Sequence, residues 1–209
     1  RLCALDQEQI ADTFEFPTVR SELIHRQQIY QMAFEHPYKA IYGSWYGVDW
    51  LDAGVNNLSS RPLRELMHAC MSMIGNGLQE AGGSLDLKNA SQELLDFLKR
   101  LFAFRKRFEQ HFDVYQHVLG FPDGEQIDGD AHIVDGAGFI VLVNPTETEL
   151  SVRIPLDEPE LELDSEKAHA LTDWTNLAQG LPIAAVKPGD SPTIDLAPLD
   201  VRYIGVNVP

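Results

Sequence analysis

The 209-residue chain has only two cysteines, Cys3 and Cys70, too few for a disulfide framework or a zinc-binding pattern. It has no run of about 18 apolar residues, so no membrane span is predicted. It also lacks the G-x-S-x-G turn of serine hydrolases and the Lys-Ser/Thr of a phosphate-binding loop. Apolar residues make up 44% of the chain, which is the usual composition of a globular protein. The chain opens in mid-pattern at Arg1, so we expect residues to precede it in the intact protein.

Basic residues are scarce in the second half of the chain. Residues 1–112 carry 12 Lys and Arg against 14 Asp and Glu, whereas residues 113–209 carry 4 against 18. An acidic surface of this kind repels phosphate backbones, so nucleic acid is not an expected partner. Five basic residues between 99 and 107 are interpreted as the solvated face of a helix.

The first half predicts helices that alternate with short strands. Apolar residues at helical spacing predict helices over residues 18–35 and 62–74, and a third that runs from an N-cap at Asn89 to Phe112. Cys70 falls on the apolar face of the second helix and is expected to be buried. Short strands are predicted at residues 39–42 and 77–82.

After residue 113 the apolar pattern changes to a period of two. Strands are predicted at residues 131–134, 138–143, 149–154, 168–173, 181–186, 192–196 and 201–207. Pro, Gly and Asp separate them, as in an antiparallel sandwich or barrel-like module. The fold class is therefore α/β followed by all-β.

Two segments of the second half resemble a known family. Residues 138–145 read GFIVLVNP and residues 196–201 read LAPLDV. With the preceding strand–helix units, they resemble the junction in α-galactosidase-like (melibiase-like) glycoside hydrolases, where a catalytic (β/α)8 barrel is followed by a β-sandwich. The resemblance implies that residues 1–113 are the last units of such a barrel and residues 114–209 are the C-terminal β-sandwich.

The same resemblance implies a two-carboxylate, retaining mechanism for the intact protein. Asp12 follows a short strand candidate at residues 9–11 and is followed by Arg20, an order similar to that of the family's general acid/base and arginine. The other interpretation is that Asp12 is a helix cap or turn residue. The family's nucleophile, an Asp that ends an earlier barrel strand, is expected before Arg1.

The aromatic segment at residues 42–50, YGSWYGVDW, follows a predicted strand. Aromatic faces stack on pyranose rings, and carboxylates accept hydrogen bonds from sugar hydroxyls. The candidate substrate-binding residues, including the arginine above, are Arg20, Trp45, Tyr46, Asp49, Trp50, Asp52 and Glu80. Alternatively, the rings close the end of a barrel and Glu80 pairs with an arginine.

Asp123, Asp128 and Asp130 lie in FPDGEQIDGDAH, a segment that lacks the ligand order of a calcium loop. We interpret it as an acidic surface loop. No metal and no cofactor is predicted.

Three hypotheses remain at this point. The first is a C-terminal part of a glycoside hydrolase whose partner is an oligosaccharide or glycoside, with little or no hydrolysis expected from this chain alone. The second is a non-catalytic carbohydrate-binding or structural β module, and the third is an unrelated α+β domain. Sugar specificity, localisation and oligomeric state stay open.

Overall fold

The computed structural model describes residues 8–10, 19–32, 41–45, 62–76, 81–83 and 90–209. For residues 8–10, 20, 21, 32, 41–45 and 81–83 only the backbone is described. The first part of the chain alternates strands and helices, which are β1 (Glu8–Ile10), α1 (Val19–Met32), β2 (Ile41–Trp45), α2 (Leu63–Gly75), β3 (Ala81–Gly83) and α3 (Gln92–Arg107). None of the described helices is long and apolar enough to cross a membrane.

The three short strands form a parallel sheet in the order β1-β2-β3. Ile10 lies opposite Gly43, and Trp45 lies opposite Gly83. A helix follows each strand in the chain, and strands that are consecutive in the sequence are neighbours in the sheet. This is the arrangement of a singly wound strand–helix series, and it brings the carboxyl ends of the strands to one edge.

The third helix starts and ends differently from the prediction. Its N-cap is Ser91, whose Oγ accepts a hydrogen bond from the backbone N–H of Leu94 at 3.2 Å. The predicted cap, Asn89, lies outside the described residues. The α-helix ends at Arg107, because the backbone at Phe108 leaves helical geometry, and Phe112 lies in a separate 3-10 turn.

Residues 114–209 form eight strands, which are β4 (Gln116–Val118), β5 (Asp128–Val134), β6 (Ala137–Val143), β7 (Leu150–Arg153), β8 (His169–Asp173), β9 (Leu181–Val186), β10 (Thr193–Leu196) and β11 (Val201–Val206). Every strand predicted from the period of two is present. Strand β4, whose sequence Gln-His-Val has no apolar alternation, was not predicted.

Six of these strands form an antiparallel sheet in the order β4-β5-β6-β11-β8-β9, and β7 pairs with β10 in a second, two-stranded sheet. The central strands of the larger sheet are covered on both faces. Phe139, Val141 and Val143 of β6 pack with α2 and α3, while Ile140 and Leu142 belong to the core on the side of β7 and β10. Burial on both faces explains why β6 reads as an unbroken apolar run.

Candidate functional site

The carboxyl edge of the parallel sheet is the first place to look for a site. Trp45 and Gly83 lie at the same level, two residues beyond the level at which Ile10 pairs with Gly43. Strand β1 ends at Ile10, and Asp12 follows it by two residues in the sequence. In parallel α/β folds, functional side chains are carried on this edge because the strand-to-helix loops converge there.

Two of the predicted site residues lie among the described residues, and both are described by their backbone alone. Trp45 is the last residue of β2, and Arg20 is the second residue of α1. The remaining candidates lie outside the described residues, and they are Asp12, Tyr46, Asp49, Trp50, Asp52 and Glu80.

The strand predicted at residues 77–82 is described only in part. The structure has β3 at Ala81–Gly83, in parallel register with Gly43–Trp45 of β2. Glu80 and the rest of the predicted strand before Ala81 lie outside the described residues, so the role of Glu80 stays a prediction.

Arg26 is the centre of a buried polar network that joins the helices to residues 114–209, the β module. Its Nε donates to Asp128 Oδ1 at 2.6 Å, and a second guanidinium nitrogen donates to Asp128 Oδ2 at 3.1 Å. A third nitrogen donates to Ser72 Oγ at 2.8 Å. Burial opposes the charge of Arg26, but Asp128 outweighs this effect and raises the pKa of the guanidinium. One side chain therefore connects α1, α2 and β5.

Asp130, two residues along β5, carries a second branch of the network. The Tyr115 hydroxyl donates to Asp130 Oδ1 at 2.6 Å, and the Asn76 amide, oriented to satisfy its neighbours, donates to Asp130 Oδ2 at 2.7 Å. Burial raises the pKa of Asp130 to about 7; the Tyr115 hydrogen bond opposes this shift and the nearby Asp128 adds to it. Asp130 is thus a buried carboxyl group that titrates near neutrality.

His132, the next residue on the same face of β5, completes the row. Its two ring nitrogens lie 2.6 Å from the carbonyl oxygens of Val114 and Gly75. Burial lowers its pKa to about 4, although the two carbonyls favour the protonated ring. His132 fixes the C-terminal end of α2 to the sheet.

The acidic surface loop predicted around Asp128 and Asp130 is therefore wrong for these two residues. Both carboxylates are buried in β5, at 3% and 5% exposure, because partners from α1, α2 and Tyr115 replace their water. Only Asp123 is in an exposed turn. A signal for the row was present in the sequence, since polar residues at 128, 130 and 132 recur at the strand period.

The residues of this network have a structural role, which is to join the helices to the sheet. Its polar atoms pair with one another across the seam between helices and sheet, as buried charges require. Within the part of the chain that the structure describes, no group of three or more His, Cys, Asp or Glu is arranged to hold a metal ion. Cys70 is buried as predicted, at 3% exposure, and burial raises the pKa of its thiol, which makes it a poor nucleophile.

Comparison with solved structures identifies proteins of the same architecture. The chain aligns with a GH27 β-L-arabinopyranosidase from Geobacillus stearothermophilus at 11% identity and a TM-score of 0.65, over 98% of this chain and 46% of that one. It aligns with a protein of Bacillus halodurans C-125, named provisionally as an α-N-acetylgalactosaminidase, at 12% identity and a TM-score of 0.64, over 97% and 48% of the two chains. An α-amylase from Geobacillus thermoleovorans matches at 13% identity and a TM-score of 0.56, over 86% and 41%.

The shared property is the fold. These neighbours are (β/α)8-barrel glycoside hydrolases with C-terminal domains, so the predicted likeness to the α-galactosidase-like architecture is confirmed at that level. The chain spans about half the length of the structures that it matches. No family model and no curated protein sequence matches the chain.

Proposed function

We propose that this chain is the C-terminal part of a retaining O-glycoside hydrolase with an α-galactosidase-like architecture. Residues 1–113 would be the last strand–helix units of its (β/α)8 barrel, and residues 114–209 its β-sandwich. The observation that supports this most directly is the order β1-β2-β3 of parallel strands, each followed in the chain by a helix, beside an antiparallel two-sheet module. The likeness to glycoside hydrolases over nearly the whole chain supports the same proposal.

Asp12 is the proposed general acid/base of the reaction. Retaining hydrolysis needs one carboxyl group that protonates the leaving oxygen and a second that attacks the sugar. Asp12 follows the carboxyl end of β1 in the sequence, where barrel enzymes carry such groups. The second carboxylate belongs, in this proposal, to an earlier part of the intact protein.

The segment around Trp45 is the proposed wall of the sugar site. Trp45 ends β2 at the same edge of the sheet, and the residues that follow it are rich in aromatic and acidic side chains. Its ring would stack on the apolar face of a pyranose. The other proposed substrate contacts are Arg20, Tyr46, Asp49, Trp50, Asp52 and Glu80.

The β module is assigned a structural part in this function. Phe139, Trp174 and Tyr203 are at most 2% exposed, so these aromatic rings do not form a platform on which a sugar could stack. This observation argues against the alternative of a carbohydrate-binding module that uses them. The rings instead pack with α3 and hold the barrel units against the sheet.

A glycoside panel on the intact protein tests the proposal. We expect hydrolysis of at least one aryl glycoside, and a fall in kcat of about 100-fold or more when Asp12→Asn removes the acid, with loss of its limb in the pH–rate profile. Asn caps helices as well as Asp does, so a capping role of Asp12 predicts an unchanged kcat for the same variant. Asp190→Asn, in an exposed turn, is the matched control. Absence of activity on every glycoside contradicts the proposal, as does an unchanged kcat in Asp12→Asn.

A further inference from the structure

A groove of about 690 Å³ lies between the helices and the loops of the β module, in the part of the chain that the structure describes. One wall comes from α2 and α3, and the other from the segments 175–177 and 197–201. Its volume falls within the range of about 300–1,000 Å³ that small-molecule sites occupy. It involves none of the residues proposed for glycoside hydrolysis.

The interior of the groove is apolar. Met67, Met71 and Phe97 line the side formed by the helices, and Leu177 and Leu199 line the opposite side. Methionine side chains adapt to ligands of different shape because they are unbranched and polarizable. Such an interior suits the hydrocarbon or aromatic part of a ligand.

The charged residues of the groove are mainly basic. Arg64 and Arg100 line it, both are exposed, and neither forms an ion pair with another described residue. Asp200 also lines the groove, but its carboxylate is already paired with Arg202, Nε to Oδ2, at 2.6 Å. The chain has a net charge of −16, so two arginines beside an apolar groove form a local patch of positive charge on an acidic protein.

His68 of α2 also lines the groove. Its Nδ1 lies 3.1 Å from the carbonyl oxygen of Leu199, so the neutral ring donates there and its Nε2 is an acceptor. Nε2 is buried and has no hydrogen-bond partner among the described residues. Burial, together with the charge of Arg26, lowers the pKa of His68 to about 4, so the ring is neutral at pH 7 and the positive charge of the groove comes from the arginines.

We propose that this groove binds an amphipathic organic anion, with its apolar part against Met67, Met71 and Phe97 and its carboxylate, sulfate or phosphate group at Arg64 and Arg100. Guanidinium groups recognise such oxyanions through paired N–H donors, while the apolar interior contributes burial. The groove shares no residue with the proposed sugar site, and this proposal does not rest on that one.

Fluorescence titration of the 209-residue chain with 1-anilinonaphthalene-8-sulfonate tests the site, with decanoate as a competitor and decanol as its uncharged analogue. We expect saturable binding of one probe per chain, displaced by decanoate at lower concentration than by decanol. Arg64→Gln combined with Arg100→Gln should weaken binding about tenfold, and 0.5 M salt should weaken it in the unsubstituted chain. Both arginines are exposed, so these variants should retain the circular dichroism and unfolding midpoint of the parent.

Arg153→Gln combined with Lys167→Gln is the matched control, because it removes two exposed positive charges of the β module outside the groove. Its affinity for the probe should stay within about twofold of the parent. Equal losses in both double variants would mean a general charge effect and overturn the proposal. So would non-saturable binding, equal displacement by decanoate and decanol, or a groove variant that binds as the parent does.

Discussion

Two helices are attached to the β module through different chemistry. Helix α3 is held by aromatic packing, whereas α1 is held by a buried ion pair and its hydrogen bonds. The ring of Phe104 lies 5.1–6.1 Å from those of Phe139, Trp174 and Tyr203. Arg26 reaches Asp128 instead, with both charges buried. The sheet thus has an apolar contact and a polar contact to the same helical layer.

The aromatic contact and the ion pair are expected to contribute differently to stability and to the position of each helix on the sheet. Apolar packing depends on shape and buried area and tolerates moderate rearrangement. A buried ion pair adds little net stability, because desolvation offsets the attraction, but loss of one partner leaves an uncompensated charge. We therefore expect the aromatic contact to supply most of the stability, and the Arg26–Asp128 pair to fix how α1 sits on β5.

The largest expected effect is at Phe104, which is 2% exposed. Phe104→Ala removes a ring packed among other aromatic residues and should lower the free energy of unfolding by about 4–5 kcal/mol. Urea unfolding at pH 7 measures this effect. Phe102→Ala, on the same helix but 47% exposed, is the control and should change stability by roughly 0.5 kcal/mol or less. Similar losses in the two variants would contradict the aromatic contact as the main attachment.

The next effect is at Arg26. Arg26→Met leaves Asp128 buried without its partner and should cost about 3 kcal/mol in the same assay. The double variant Arg26→Met, Asp128→Leu should recover most of that loss, because no buried charge remains. Arg153→Met, which breaks an exposed pair with Asp157, should cost about 1 kcal/mol or less. A double variant whose loss equals the sum of the losses of its two single variants would show no energetic coupling between Arg26 and Asp128 and would contradict this prediction.

The smallest effect concerns pH. The pKa of Asp130 is about 7 when folded and should be near 3.8 when unfolded, so the folded state binds more protons between these values. Stability from this group is full below about pH 4 and is lost as the pH rises through about 7. Asp130→Asn should therefore reduce the fall in unfolding free energy between pH 5 and pH 8. Asp190→Asn, in an exposed turn, should leave that fall unchanged; an Asp130→Asn variant that behaves in the same way would contradict the assignment.

Much of the fold was predictable from periodicity. The stripe on α2 and the alternation in β6 identify elements whose residues are buried as expected, since each face meets an apolar layer. The cap of α3 was predicted two residues too early, because both Asn89 and Ser91 are good caps and only the backbone decides between them. For the proposed sugar site, β1 ends two residues before Asp12, and β2 ends at Trp45, three residues later than the strand predicted at 39–42; the roles of these residues stay predictions.

The sequence by itself determined the local elements and the acidic bias of the second half, because periodicity and composition act over a few residues. Only the tertiary structure decided which secondary structure the segment around Asp128 adopts. Its glycines and aspartates are typical of a turn, yet it forms a buried strand, since Arg26 is brought to it from 102 residues away. A carboxylate is buried only where a distant partner replaces its water, and no local pattern states where that partner will be.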